Sequence, residues 1–193
     1  MIGMLSAARR RATILLLGTA IFVSTAPPPA RGDNKSDFIG SAGNVLLVGL
    51  PLAGGAYAYY RGDRQGFLQI GASLISAYAV SFGLQHVVRK RAPDPDLSGW
   101  NAFPSDSAAV AFAAASAIQV RYGWDYGLPS YAVAAFVGYS RVHVDEHDWA
   151  DVGVGALIGW AAGQLLTDPY EEMPAMQVFA DTKGAGINLR WSW

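Results

Sequence analysis

The chain has 193 residues, of which 52% are hydrophobic and 15% are charged. Charged residues make up about 25% of ordinary soluble domains, so this composition favours a membrane protein or a heavily buried helical bundle. A net charge of −1 and the lack of an RNA- or DNA-binding motif argue against a nucleic-acid partner. Because the sequence contains no cysteine, disulfides and thiolate metal sites are excluded as well.

Residues 1–30 have the pattern of a targeting segment. Arginines at positions 9–11 precede an apolar run that ends at Ala26. The run is about 15 residues long, which is short for a membrane span and typical of the core of a signal peptide. A cleaved signal peptide and a retained signal anchor both fit, because Pro27 follows Ala26 directly and obscures a cleavage site. In either case the segment predicts export to, or orientation across, a membrane.

Five helices are predicted in a domain that covers residues 31–170. They are expected at about 38–60, 65–89, 105–120, 129–139 and 149–166. The first, second and fifth approach 20 apolar-dominated residues, so we expect an all-α bundle of about five membrane-embedded helices. The third and fourth are short and rich in alanine, which keeps a soluble all-α bundle in the periplasm as the alternative.

The tail, residues 171–193, differs from the helical domain. It contains a Gly-rich turn, after which Ile187, Leu189, Trp191 and Trp193 alternate with polar residues. Alternation with a period of two is typical of a strand, so the tail is predicted to form a short β-hairpin.

The distribution of charge predicts which loops share a side of the membrane. If the arginines at 9–11 stay inside, the loops at 86–104 and 140–149 both lie on the outer, periplasmic face. The first of these loops carries three consecutive basic residues at 89–91, on the side where such residues are normally depleted. Anion binding would explain why three basic residues lie together on this side of the membrane.

The stretch SRVHVDEHDWADV, residues 140–152, combines three chemically useful side chains. On a helix start, His147 and Asp151 would share a face, and the carboxylate could accept from one ring nitrogen and leave the other free to attack. Arg141 offers a planar set of donors that suits a phosphate. The pattern predicts a nucleophile, an orienting residue and an anion clamp, whereas the alternative is a solvated acidic loop with incidental histidines.

The stretch FPSDSAAVAF, residues 103–112, is typical of a helix start that binds an anion. Ser105 precedes the predicted helix, whose first turn presents free N–H groups. Asp106 and Ser107 stand at the position where an acid–base residue would be expected in such a cradle.

These stretches resemble the three signature motifs of the type 2 phosphatidic acid phosphatase superfamily. Residues 140–151 match the third motif, S-R-x5-H-x3-D, in full. Residues 103–112 resemble the second motif, normally P-S-G-H, and LQHVVRKRAPD at 84–94 resembles the first, normally K-x6-R-P. The resemblance covers about residues 38–170.

The resemblance implies a phosphatase that needs neither a metal nor another cofactor. It would act on a lipid phosphate or diphosphate at the periplasmic face of the bacterial inner membrane. His147 would attack phosphorus and form a phosphohistidine, and Asp151 would orient the ring. Arg141, Ser105 and the neighbouring backbone N–H would hold the phosphate oxygens. Asp106 and Ser107, which follow Ser105, are also expected at the phosphate site.

The sequence departs from the family where positive charge or a proton is needed. Gln85 replaces the first-motif lysine, Ala92 the first-motif arginine and Ser107 the general-acid histidine. Asp106 replaces a glycine and adds negative charge beside the expected anion. Arg91, next to Ala92, is expected to replace the missing positive charge and bind phosphate, with Arg89 and Lys90 close by. His86, His143 or a protonated Asp106 could replace the missing proton donor.

These departures leave two functions open and disfavour a third. The first is a membrane-associated phosphatase with weak activity. The second is a catalytically inactive member that binds a phosphorylated lipid or a membrane partner. A vanadium haloperoxidase, which shares the cradle, is disfavoured because the cationic residues that hold vanadate are among those missing. The sequence does not define an oligomeric state.

Overall fold

The computed structural model describes residues 34–95, 97, 101–170, 175–181 and 184–190. Its elements are α1 (Asn34–Tyr60), α2 (Arg64–Val88), α3 (Asp106–Tyr122), α4 (Trp124–His143), α5 (Trp149–Leu166), β1 (Ala175–Asp181) and β2 (Gly184–Arg190). The prediction of an all-α domain with five helices is therefore confirmed. The two strands of the tail pair in antiparallel fashion. The predicted signal segment at 1–30 lies outside the described residues, as do Trp191 and Trp193.

The start of α1 and both ends of α4 differ from the predicted bounds by four or more residues. Helix α1 begins at Asn34 rather than near residue 38, because hydropathy does not distinguish a polar first turn from a linker. Helix α4 begins at Trp124, and Pro129 lies inside it rather than at its start. The break between α3 and α4 is made by Gly123, whose φ of +87° is accessible to glycine without strain.

Two of the helices that the structure describes are long and apolar enough to cross a membrane. These are Phe38–Tyr60 within α1 and Arg64–Val88, which is α2, each with a mean hydropathy of 1.5. Helix α5, expected as a third, does not reach this class, since glycine, tryptophan and one aspartate take up many of its positions and contribute little hydropathy. The expectation of three long apolar helices was wrong in this respect.

Helix α3 lies at the centre of the bundle and packs against α5, α4 and α2. Seven of its alanines are completely buried: Ala108, Ala109, Ala111, Ala113, Ala114, Ala115 and Ala117. Small side chains on every face of α3 let the neighbouring backbones come close. The N-terminus of α3 carries the second motif, so this packing fixes the position of that motif.

Three glycines of α5, four residues apart, face the backbone of α3. A Cβ at Gly155 would lie 2.2 Å from the Ser105 carbonyl oxygen, and one at Gly159 would lie 2.1 Å from the Ala109 carbonyl oxygen. One turn later, a Cβ at Gly163 would lie 2.4 Å from a side-chain atom of α3. The contact between α3 and α5 therefore depends on glycine, as in closely packed helices of membrane proteins.

This contact predicts opposite effects for two identical substitutions in α5. Gly159→Ala is expected to destabilise the fold by roughly 1–3 kcal/mol, because the clash is with backbone atoms that cannot rotate away. Gly153→Ala is the matched control: a Cβ there meets nothing within 4 Å, and alanine favours a helix over glycine by about 1 kcal/mol. Thermal unfolding of both variants in the same detergent should move Tm in opposite directions. A fall in both would contradict this account of the contact.

A buried ion pair closes the end of the bundle where α1 meets α2 and α3 meets α4. Arg121 donates to both carboxylate oxygens of Asp63, at 2.7 and 2.6 Å, and Tyr122 donates to the same carboxylate at 2.9 Å. Burial alone would raise the pKa of Asp63, but the hydrogen bonds from Arg121, Gly66 and Tyr122 outweigh it and lower the pKa. This end holds no member of the three motifs, which all lie at the opposite end.

Candidate active site

The three motifs meet at the end of the bundle where α2 and α4 end and where α3 and α5 begin. The Ser105 N–H donates to the Asp151 carbonyl at 3.0 Å, and the Asp94 N–H donates to the Asp145 carbonyl at 3.0 Å. Gln85, near the end of α2, donates to the Pro104 carbonyl at 3.0 Å. These bonds confirm that the two loops assigned to one face by charge lie together.

His147 is almost completely buried, with 8% of its surface exposed. Its Nδ1 lies 2.7 Å from the carbonyl oxygen of Ala102. Because a carbonyl only accepts, Nδ1 must carry the proton, and Nε2 of the neutral ring keeps its lone pair. The geometry therefore supplies the tautomer that a nucleophilic imidazole requires.

The orienting partner of the His147 ring differs from the expected one. Asp151 was expected to accept from the ring, yet the structure gives this part to Ala102. The physical reason is where α5 begins. Asp148 is the N-cap of α5, so His147 precedes the helix and the rule that residues four apart share a face does not apply to it.

Asp151 instead stabilises the start of α5 and binds a cation. Its carboxylate is completely buried and accepts from the Asp148 N–H at 3.0 Å, while the Asp148 side chain accepts from the Asp151 N–H at 3.0 Å. This reciprocal pair is a capping box, which satisfies donors that a helix start leaves free. The second carboxylate oxygen of Asp151 accepts from Lys90 Nζ at 2.7 Å.

From the sequence, Lys90 was considered only as one of the three basic residues at 89–91, and Arg91 was selected as the phosphate-binding residue. Helix α2 ends where Arg89 adopts a left-handed conformation, with φ of +48°, and the chain then places Lys90 between Asp148 and Asp151. Partial burial works against the charged form, but the hydrogen bonds to both carboxylates prevail and raise the pKa of Lys90. The bond from Lys90 in turn lowers the pKa of Asp148.

Arg91, the residue expected to replace the missing positive charge, is exposed. Its neighbour Lys90 contacts the third motif through Asp151. The signal in the sequence was the pair of aspartates at 148 and 151, which could have been matched with the basic run at 89–91. Sequence order did not reveal which of the three basic residues turns inward.

Arg141 is completely buried and already engaged. Its Nη1 donates to Glu146 Oε2 at 2.8 Å, and its Nη2 donates to the Gly40 carbonyl of α1 at 3.1 Å. Its Nε donates to Ser140 Oγ at 3.2 Å. The predicted anion clamp thus holds a carboxylate of its own chain, which is a partner the sequence analysis missed.

The start of α3 is likewise occupied by its own side chains. Ser105 is the N-cap and is completely buried, and its Oγ accepts from the Ala108 N–H at 3.4 Å. Asp106 Oδ1 accepts from the Ser107 N–H at 2.7 Å. An N–H group that could hold a phosphate oxygen is therefore directed at the carboxylate that replaces the family glycine.

Two cations and four carboxylates take part in the side-chain hydrogen bonds of the motifs at this end of the bundle. The cations are Lys90 and Arg141, and the carboxylates are Asp106, Glu146, Asp148 and Asp151. In the part of the chain that the structure describes, no group of three or more His, Asp or Glu side chains could hold a metal ion. The arrangement provides one imidazole with an unprotonated ring nitrogen, and two cations that are both already paired with carboxylates.

The sequence profile of the PAP2 superfamily matches residues 66–171. This chain therefore belongs to the PAP2 superfamily, the type 2 phosphatidic acid phosphatases, in agreement with the resemblance of its three motifs.

The curated relatives are lipid A phosphatases. The chain is 28% identical over 166 residues to a lipid A 4'-phosphatase of Helicobacter pylori, and the alignment covers 78% of this chain and 83% of the relative. It is 31% identical over 140 residues to a lipid A 1-phosphatase of Porphyromonas gingivalis, and the alignment covers 69% of this chain and 29% of the relative. The crystal structure of LpxE from Aquifex aeolicus has the same fold, with a TM-score of 0.59 and 21% identity over 70% of this chain and 87% of that one.

Proposed function

We propose that this protein hydrolyses a phosphomonoester or diphosphate on a lipid, with His147 as the nucleophile. The observation that carries the proposal is the hydrogen bond from Nδ1 to Ala102, which leaves Nε2 free to attack. Because the curated relatives are lipid A phosphatases, a phosphate on a glycolipid is the substrate that we favour.

The proposed reaction has two steps. First, Nε2 of His147 attacks phosphorus, so that an N–P bond forms while the P–O bond to the lipid breaks. The leaving oxygen takes its proton from water, because the Ser107 hydroxyl is too weak an acid near neutral pH. Water then attacks the phosphohistidine and gives its proton to solvent, which releases inorganic phosphate and restores the neutral ring.

The groups proposed to bind phosphate differ in whether they must first release a carboxylate of their own chain. Lys90, with 35% of its side chain exposed, can present its remaining N–H to a phosphate oxygen while it holds Asp148 and Asp151. Arg141 and the start of α3 must first give up carboxylates of their own chain. Slow turnover follows from this competition and from the missing general acid.

We further propose that the bundle lies in the inner membrane, with the site at the periplasmic face. In the apolar stretches of α1 and α2, only 17% and 28% of the residues are buried, whereas the core helix of a soluble protein would be mostly buried. Large apolar side chains project outward from both helices: Phe38, Val45, Leu52, Leu68, Ile75, Val80, Phe82, Leu84 and Val87. The targeting pattern of residues 1–30 supports the same location.

A second function is favoured by the four carboxylates at the site. A catalytically inactive member would bind a phosphorylated lipid or a membrane partner without turnover. The excess of negative charge and the absence of a histidine at position 107 support this alternative.

Phosphate release from the purified full-length protein separates the two functions. We expect slow release from a lipid phosphate in the presence of EDTA, inhibited by vanadate, which mimics the pentacoordinate transition state. A vanadate-induced rise in Tm without release would favour the inactive member. If vanadate neither inhibits release nor changes Tm, both proposals fail.

A further inference from the structure

We propose that Glu146 occupies the phosphate position of Arg141 and acts as an internal competitor that a substrate must displace. This inference rests on the proposed function, because it concerns the same anion site. Glu146 would thereby set the affinity of the site for phosphate, a part that neither the motifs nor the relatives assign to this residue.

The hydrogen bonds of Arg141 show which edge of its guanidinium an external anion could bind. A guanidinium has five N–H groups. The Nε and Nη2 groups are directed at Ser140 Oγ and at the Gly40 carbonyl. The Nη1 group donates to Glu146. Nη1 carries two N–H groups and one contact with Glu146, so an external anion that takes both N–H groups must displace the Glu146 carboxylate.

The other edges of Arg141 are closed by the packing of α1. A Cβ at Gly43 would lie 2.0 Å from Ser140 Oγ and 2.8 Å from Arg141 Nη2. The backbone of α1 therefore lies too close to this edge of Arg141 for a ligand to fit between them. The Gly40 carbonyl of α1 accepts a hydrogen bond from the same edge. Displacement of Glu146 is the route to Arg141 that leaves the helix packing unchanged.

The position of Glu146 makes its displacement a local change. The backbone N–H groups of Glu146 and His147 both donate to the Arg141 carbonyl, at 3.1 and 3.3 Å, so the turn is held without the side chain. The Glu146 side chain is 13% exposed, whereas that of Arg141 is 1% exposed. A rotation of the Glu146 side chain toward solvent would free the Nη1 group that now donates to it.

Charge gives the expected direction of the effect. A phosphate oxygen and the Glu146 carboxylate compete for the same donor, and the two anions also repel each other. Glu146→Gln keeps the shape and an acceptor oxygen for Nη1 but removes the charge. We expect it to tighten the binding of inorganic phosphate or vanadate at least about tenfold.

Asp145→Asn is the matched control because it removes the same charge one residue away. Asp145 is exposed, and its φ of +55° is a conformation that asparagine tolerates well. Calorimetric titration of the full-length protein with phosphate and with vanadate should show tighter binding for Glu146→Gln and little change for Asp145→Asn. Equal gains in the two variants would indicate a general field effect and would overturn the proposal.

Two further outcomes are informative. If Glu146→Gln lowers Tm and weakens phosphate binding, Glu146 is a structural brace for Arg141, and the proposal is wrong. If it tightens binding while no variant releases phosphate from a lipid, the competitor proposal stands and the proposed enzymatic function fails. If lipid turnover depends on His147 but binding is the same in Glu146→Gln and the wild type, the function stands and the competitor proposal fails.

Discussion

Replacement of His147 by asparagine is expected to reduce phosphate release to the uncatalysed background. The asparagine side chain can still donate to the Ala102 carbonyl, as Nδ1 does now at 2.7 Å. It has no atom equivalent to the free Nε2 of the ring, so no phosphohistidine can form. Since the buried carbonyl keeps a donor, we expect Tm to change little, and loss of activity cannot then be attributed to unfolding.

The other two histidines of the chain supply the control. His86 and His143 are both exposed, and His86 Nδ1 lies 2.8 Å from the Phe82 carbonyl of its own helix. Their replacement by glutamine should leave the rate of phosphate release, followed by a colorimetric phosphate assay, close to that of the wild type. Residual release in His147→Asn equal to that of the wild type would remove this residue from the mechanism.

The second large effect is a gain of activity in the triple variant Gln85→Lys, Ala92→Arg, Ser107→His. These changes restore the groups that the family motifs use to bind phosphate and to protonate the leaving oxygen. A positioned general acid contributes roughly 10²- to 10⁴-fold, and one preorganised charge contact about 3 kcal/mol. We expect kcat/KM to rise at least about 100-fold.

The pH profile identifies the source of such a gain. A general-acid imidazole must be protonated, so the added activity should be present below about pH 6.5 and decline as the pH rises above it. The control is the same triple variant with Ser107→Asn, since an amide cannot donate a proton to the leaving group. A gain of the same size in both triple variants would assign it to phosphate binding rather than to proton transfer.

The fold was largely accessible from the sequence, because hydrophobic periodicity and length define long helices well. Helix α5 was placed at its observed bounds, 149–166. The start of α4 was missed because a proline inside a helix resembles one at its start, and only the conformation of Gly123 shows where the chain turns. Membrane character was overestimated for α5, whose glycines pack against α3.

The site was predicted as a set of residues but not as a set of contacts. The motifs identified His147, Asp151, Arg141 and Ser105, and the structure brings their chain segments together. The hydrogen-bond partners of these residues were not predicted. The His147 ring is oriented by the backbone carbonyl of Ala102, and no pattern of side chains can reveal such a partner. The family spacing did not reveal that Asp151 belongs to the capping box of α5, because an aspartate at this position could either orient the histidine or stabilise the helix start.

The lengths of α1 and α2 have a consequence for the surrounding lipid. The apolar stretch of α1 has 23 residues and that of α2 has 25, so they span about 35 and about 38 Å, whereas the hydrocarbon layer of a bilayer is about 30 Å thick. In the membrane location that we propose, helices longer than this layer would tilt away from the bilayer normal. The chain that follows α2 and carries Lys90 would then lie at the level of the headgroups, so an amphiphile could reach the site by lateral diffusion.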